Sequence, residues 1–205
     1  MLDAGMRKLI DPPLNALGRG IAQSGVTANQ VTLAGLVLGL ISAGMIAWGH
    51  FAWALIPLLA SRLLDGLDGA VARATQKTDF GGFLDIVCDF IFYGAVPMAF
   101  VWADPGANGA AGAFLLASFY ANGASFLGFA ILAEKRQMDT RARGVKSLYF
   151  TGGILEGTET IAFFVALCLW PGWFAAMAWV FGALCFVTAV SRMVLAAKLF
   201  TGHSD

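Results

Sequence analysis

Charge is scarce in this chain. Asp, Glu, Lys and Arg together make up 13% of its 205 residues, against roughly 25% in a soluble domain. Hydrophobic residues reach 59% before any glycine is counted. That excludes an ordinary soluble protein and points to an integral membrane protein of one domain. The net charge is zero, so no basic field attracts nucleic acid and no nucleic-acid partner is expected. Cysteine is also scarce. Cys88, Cys168 and Cys185 each lie inside an apolar run, without the spacing of a zinc site or a disulfide framework, and read as small buried hydrophobes. His50 and His203 are isolated and receive no role. The N-terminus has charge but no apolar core followed by a small-residue cleavage site, so no cleavable signal peptide is expected.

Long apolar stretches fill the chain instead. Residues 1–22 are too polar to span a membrane. Leu2, Met6, Leu9 and Ile10 share one helical face, Pro12-Pro13 breaks the segment, and Leu14, Leu17 and Ile21 restart a face. This pattern predicts a short amphipathic helix lying in the membrane interface. Six spans of about 20 residues are predicted after it, near 29–49, 52–73, 82–103, 108–133, 152–170 and 173–199. The expected fold is therefore an all-α integral membrane domain over residues 1–205. It comprises an N-terminal amphipathic interfacial helix (1–22) and a bundle of six transmembrane helices (23–205).

Lys and Arg avoid the turns around Gly49-His50, Asp104-Pro105 and Pro171-Gly172. They collect before span 1, between spans 2 and 3, between spans 4 and 5, and near the C-terminus. The positive-inside rule then places both termini in the cytoplasm. Trp48, Trp53, Trp102, Trp170 and Trp173 cluster at the opposite boundary, as an aromatic belt does.

Against this apolar background one stretch stands out. Asp65 and Asp68 are one turn apart on span 2, and Asp85 and Asp89 one turn apart on span 3, so each pair shares a helical face. A short polar link joins the two spans and makes them antiparallel neighbours, so that all four carboxylates can converge on a cytoplasmic cavity. One acid at the centre of a membrane helix costs roughly 2.5–3.5 kcal/mol. Divalent cations held by oxygen ligands are the natural compensation. Such ions suit phosphoryl or pyrophosphoryl chemistry, and one carboxylate can serve as general base on an attacking hydroxyl. Arg73 can grip a phosphate with its planar fork. Gly69 and Gly81, each within a turn of an aspartate, leave room for that phosphate.

The run Asp65-x-x-Asp68-Gly69-x-x-Ala72-Arg73, followed by Gly81-x-x-x-Asp85-x-x-x-Asp89, resembles the signature of the CDP-alcohol phosphotransferases. Thr27-Ala28-Asn29-x-x-Thr32 resembles the family's Thr-Pro-Asn-x-x-Thr, with alanine in place of proline. The resemblance implies that Asp65, Asp68, Asp85 and Asp89 hold Mg2+ or Mn2+, in two sites. It implies a cytidine diphosphate pocket of Asn29, Thr32, Asp65, Gly69, Ala72 and Arg73. It also implies that Asp89 is the catalytic base, that CDP-diacylglycerol is the phosphatidyl donor, that CMP is released, and that the enzyme is a homodimer in a bacterial inner membrane. Cytidine comes from the resemblance alone.

For the acceptor, a small polar alcohol, the residues leave several readings. Lys135, Arg141, Arg143 and Arg192 could bind a phosphate, which favours glycerol 3-phosphate. Glu156 and Glu159 could contact the acceptor or pair with Arg62 or Arg143. The absence of arginine at the start of span 5 argues against inositol phosphate. Serine, inositol or inositol phosphate as acceptor, or a CDP-amino-alcohol donor with diacylglycerol as acceptor, are the alternatives. An intramembrane prenyltransferase would place its two acidic motifs far apart. A metal transporter would spread acids across the membrane, whereas Asp104 is the only acid in the predicted outer half.

Overall fold

The computed structural model describes residues 2–136 and 157–201, with side chains from Pro12 onward. All regular structure among these residues is helical: α1 (Leu2–Gln23), α2 (Ala28–Ala47), α3 (Phe51–Ala74), α4 (Asp79–Ala103), α5 (Pro105–Lys135), α6 (Gly157–Leu169) and, after a 3-10 turn at Pro171–Trp173, α7 (Phe174–Phe200). Polar residues at the connections explain where several helices begin. Thr27 caps α2 with a full capping box: its hydroxyl accepts from the Gln30 amide at 3.3 Å, and the Gln30 side chain accepts from the Thr27 amide at 2.9 Å. Thr78 caps α4 through the Gly81 amide, and Asp104 caps α5 through the Ala107 amide, with Pro105 at the first helical position. Gly49 adopts a φ of 81°, a left-handed turn that lets α2 reverse into α3.

The edges predicted for spans 1–4 and 6 fall within three residues of these helices, the largest differences being 82 against Asp79 and 108 against Pro105. Four helices are long and apolar enough to cross a membrane: Ala28–Ala47, Asp79–Ala103, Pro105–Lys135 and the stretch Pro171–Phe200. Helix α3 has 24 residues, but Arg62, Asp65, Asp68 and Arg73 interrupt its apolar character. The start of predicted span 5 lies outside the described residues. One expectation is corrected. Helix α1 runs through Pro12-Pro13 without a break. The prolines remove two amide donors and crowd the preceding turn, and the packing of α1 on α3 offsets that cost.

Helix α2 packs against α3 and α4, α1 packs against α3, and α5 packs against α7. The larger core is rich in aromatics, with Phe92, Phe100, Phe164 and Phe174 fully buried. Phe100 stacks on Phe174 with centroids 5.0 Å apart. A smaller core of Leu14, Val31, Leu67, Ala70 and Val71 joins α1 to α2 and α3. Close approach matters at Gly18, where a Cβ would lie 2.7 Å from that of Ala70. The missing side chain is what lets α1 lie flat on α3.

Candidate active site

Helices α3 and α4 bring three of the four aspartates together. Ligand oxygens of Asp65, Asp85 and Asp89 all lie within 4.8 Å of one another. The side chains of Asp65 and Asp89 are 34% and 31% exposed, so water or a phosphate oxygen can still reach them. Asp68 turns elsewhere. It is buried, and its Oδ2 accepts a 2.6 Å hydrogen bond from the Thr32 hydroxyl on α2.

A cavity of about 270 Å³ opens beside the triad, lined by Asn29, Thr32, Asp68, Gly69, Ala72, Arg73 and Asp85 among others. Five of the six residues predicted for a nucleotide pocket are on that wall. The sixth, Asp65, faces the acidic triad instead. Asp85 belongs to both groups and joins cavity to triad. Gln76, Lys77 and Thr78 from the α3–α4 link also line the cavity, and pattern reading had missed them. Gly69 and Gly81 keep the wall thin. A Cβ on Gly69 would meet Arg73 Nη1 at 3.3 Å, and one on Gly81 would meet Thr78 Oγ1 at 3.0 Å and Asn29 Oδ1 at 3.2 Å.

Sequence reasoning missed Asn15 and the partners of Arg62. Arg73 donates from Nε and Nη2 to Asn15 Oδ1, at 3.2 and 2.9 Å, so α1 orients the arginine at the cavity rim. Arg62 directs Nη1 to Asp89 at 2.8 Å and to Asp65 at 3.4 Å. The sequence offered Glu156 or Glu159 as its partners. Its position three residues before Asp65 was the available signal, because that spacing puts both on one helical face.

Three of the proposed acceptor residues fall among the described residues. Lys135 ends α5, and Glu159 sits in the first turn of α6. Arg192 on α7 donates to the Asn122 carbonyl, Asn122 Oδ1 and Ser125 Oγ on α5. Arg141, Arg143 and Glu156 lie outside the described residues.

Even with Arg62 against Asp65 and Asp89, three carboxylates within 4.8 Å of one another keep a net negative charge that a divalent ion would relieve. Their hard oxygen donors fit a divalent ion of the Mg2+ or Mn2+ class better than a soft metal. Beside a cavity edged by Arg73 and Lys77, the arrangement suits binding and cleavage of a pyrophosphate.

The model of the CDP-alcohol phosphatidyltransferase family matches residues 25–198. The chain is 47% identical over 193 residues to the inner membrane protein YnjF of Escherichia coli, covering 94% of each. It is 39% identical over 85 residues to the archaetidylinositol phosphate synthase of Pyrococcus horikoshii, covering 41% of this chain and 45% of the relative. In fold it is similar to the Mycobacterium tuberculosis phosphatidylinositol phosphate synthase PgsA1 with CDP-DAG bound, with a TM-score of 0.72 at 21% identity over 90% of this chain and 94% of that one. The same enzyme in complex with manganese and citrate matches with a TM-score of 0.68 at 22% identity over 88% of this chain and 87% of that one. The acidic motif, the cavity it adjoins and the length of the match agree: this chain belongs to the CDP-alcohol phosphatidyltransferase family.

Proposed function

We propose that the protein moves a phosphatidyl group from CDP-diacylglycerol to the hydroxyl of a small phosphorylated alcohol and releases CMP. One observation carries this reading: Asp85 lines the cavity and also belongs to the Asp65–Asp85–Asp89 triad, so a nucleotide diphosphate in the cavity would extend its pyrophosphate to the acids. Asp65, Asp85 and Asp89 would hold the divalent ions, with Asp68 at the cavity edge available to a second one. Such ions, when bound, neutralise the phosphate oxygens and stabilise the departing phosphate. Asn29, Thr32, Gly69 and Ala72 shape the nucleotide wall, and Arg73 grips a phosphate.

Asp89 acts as base. Its Oδ1 accepts from Arg62, which orients the carboxylate that takes the proton of the acceptor hydroxyl. The freed oxygen bonds to the phosphorus that carries diacylglycerol. The bond from that phosphorus to the bridging oxygen breaks, and CMP leaves with the oxygen.

Lys135, Arg141, Arg143 and Arg192, with Glu156 and Glu159, are the acceptor-side candidates, and glycerol 3-phosphate is the acceptor they favour. Inositol phosphate is the second reading, favoured by the names of the Pyrococcus and Mycobacterium relatives. In the membrane, α2 to α7 make six spans and α1 lies in the interface. Both termini and the acids face the cytoplasm, and the protein is a homodimer of the bacterial inner membrane. YnjF, named an inner membrane protein, supports that location.

The test uses purified protein in liposomes with CDP-diacylglycerol and Mg2+. Glycerol 3-phosphate, inositol phosphate, serine, inositol and choline are supplied one at a time, and CMP and new lipids are read by mass spectrometry. CMP release with one phosphorylated acceptor is expected. A lipid made only from serine, inositol or choline would overturn the phosphorylated acceptor. No CMP with any acceptor would overturn CDP-diacylglycerol as donor and turn the search to CDP-choline or CDP-ethanolamine with diacylglycerol.

A further inference from the structure

Arg62 is the cation that bridges Asp65 and Asp89 in the acid cluster. Its side chain is only 7% exposed. Nη1 bridges Asp89 at 2.8 Å and Asp65 at 3.4 Å, and Nη2 donates to Ser61 Oγ at 3.2 Å. The guanidinium carbon lies 3.8 Å from the centre of the Phe92 ring. Gly39 makes room for that ring: a Cβ there would sit 2.6 Å from Phe92 Cδ2. Among the described residues, Nε has no hydrogen-bond partner. The buried charge is therefore stabilised chiefly by the carboxylates and the ring, rather than by a complete set of hydrogen bonds. Arginine keeps its charge at any working pH, so this positive charge is permanent.

We infer that Arg62 is a positioning residue that limits the donor-free site to one tightly held divalent ion, and makes the second depend on the donor's pyrophosphate. The inference rests on the metal-site reading above. Asp65, Asp68, Asp85 and Asp89 with Arg62 carry three formal negative charges. One divalent ion leaves the cluster negative. A second makes it positive and brings that ion close to a fixed guanidinium, which is unfavourable in surroundings of low dielectric constant. The pyrophosphate restores the balance. Without Arg62, four carboxylates match two divalent ions and no donor is needed. The ordering has a use, because a fully loaded site then forms only around substrate.

Manganese binding to the full-length protein in detergent, followed by electron paramagnetic resonance, tests this with Mn2+ alone and with Mn2+ plus CDP. The parent protein should hold one ion tightly, and CDP should tighten the second by about tenfold or more. Arg62→Met should hold two ions without CDP, and Arg62→Lys, which keeps the charge, should behave as the parent does. Where Arg62→Met does not fold, Arg62→Gln carries the same expectation. Two tight ions in the parent without CDP, or one ion and an unchanged CDP effect in Arg62→Met or Arg62→Gln, would overturn the inference and leave the metal site standing. Weaker binding in the neutral variants would do the same, and would make Arg62 an aligner of carboxylates. No manganese bound by the parent would overturn the metal site and this inference with it.

Discussion

The acid-bearing end of the bundle and its aromatic end are built on opposite terms. At the aromatic end, Phe92, Phe100, Phe164 and Phe174 are fully buried and in ring contact with their neighbours. At the acid end the core shrinks to Leu14, Val31, Leu67, Ala70 and Val71. Half-exposed carboxylates and a cavity of about 270 Å³ take the place of side-chain packing. Three like charges drawn together push the helices carrying them apart. The aromatic end of α4 resists that push, and Phe92 is where the two regions meet: it belongs to the aromatic core and lies under Arg62. One end holds the shape so that the other can hold charge.

The sharpest way to separate the regions is to disable chemistry without touching packing. Asp89→Asn keeps size and shape but removes the proposed base. Turnover should fall by about a thousandfold, while CDP binding, read by its protection against thermal unfolding, stays within about threefold of the parent, since Asp89 is not on the cavity wall. Retained turnover would take the base role from Asp89. Loss of CDP binding would show that the ion held through Asp89 also carries the nucleotide.

The converse change removes packing and leaves the acids in place. Phe164 is fully buried and touches Phe92, Tyr93, Phe119 and Phe163. Phe164→Ala should cost about 2 kcal/mol of stability, mostly lost packing, because lipid is as apolar as the core it leaves. The fraction still folded should turn over at near the parent rate. A large fall in turnover per folded molecule would show that the two regions are not separable.

Thr32→Val tests the contact of α2 with α3 at the acid end. It leaves the buried Asp68 without its 2.6 Å donor, at a cost of about 1–2 kcal/mol. The concentration of CDP-diacylglycerol giving half-maximal rate should rise severalfold. An unchanged value would make the hydrogen bond purely structural.

How far these arrangements were legible in the sequence follows from how local they are. The pairing of Asp65 with Asp68 and of Asp85 with Asp89 needs only helical periodicity, and the cap at Thr27 needs only its spacing to Gln30. The wall formed by Asn29, Thr32, Gly69, Ala72 and Arg73 was readable through the family resemblance. The turning of Asp68 toward Thr32 depends on how α2 crosses α3, and the reach of Arg62 to Asp89 on the register of α4 against α3. Neither is written in any local window. The same holds for α1: an unbroken helix through Pro12-Pro13 needed a surface to lie on, and α3 provides it through the contact of Gly18 with Ala70.

That docking leads to the smallest effect and the finest test. Asn15 belongs to neither core, yet its side-chain oxygen takes two hydrogen bonds from Arg73. If Arg73 grips a phosphate as proposed, it is aimed before the phosphate arrives, so less side-chain freedom is lost on binding. Asn15→Ala removes that guide while leaving the charge and the wall intact. The half-saturating donor concentration should rise by about two- to threefold with kcat unchanged, a shift of well under 1 kcal/mol at an exposed site. The double variant with Arg73→Ala should show no further loss over Arg73→Ala alone, since without the arginine there is nothing left to aim. An additive loss would mean that Asn15 meets the donor itself, and would extend the nucleotide wall onto α1.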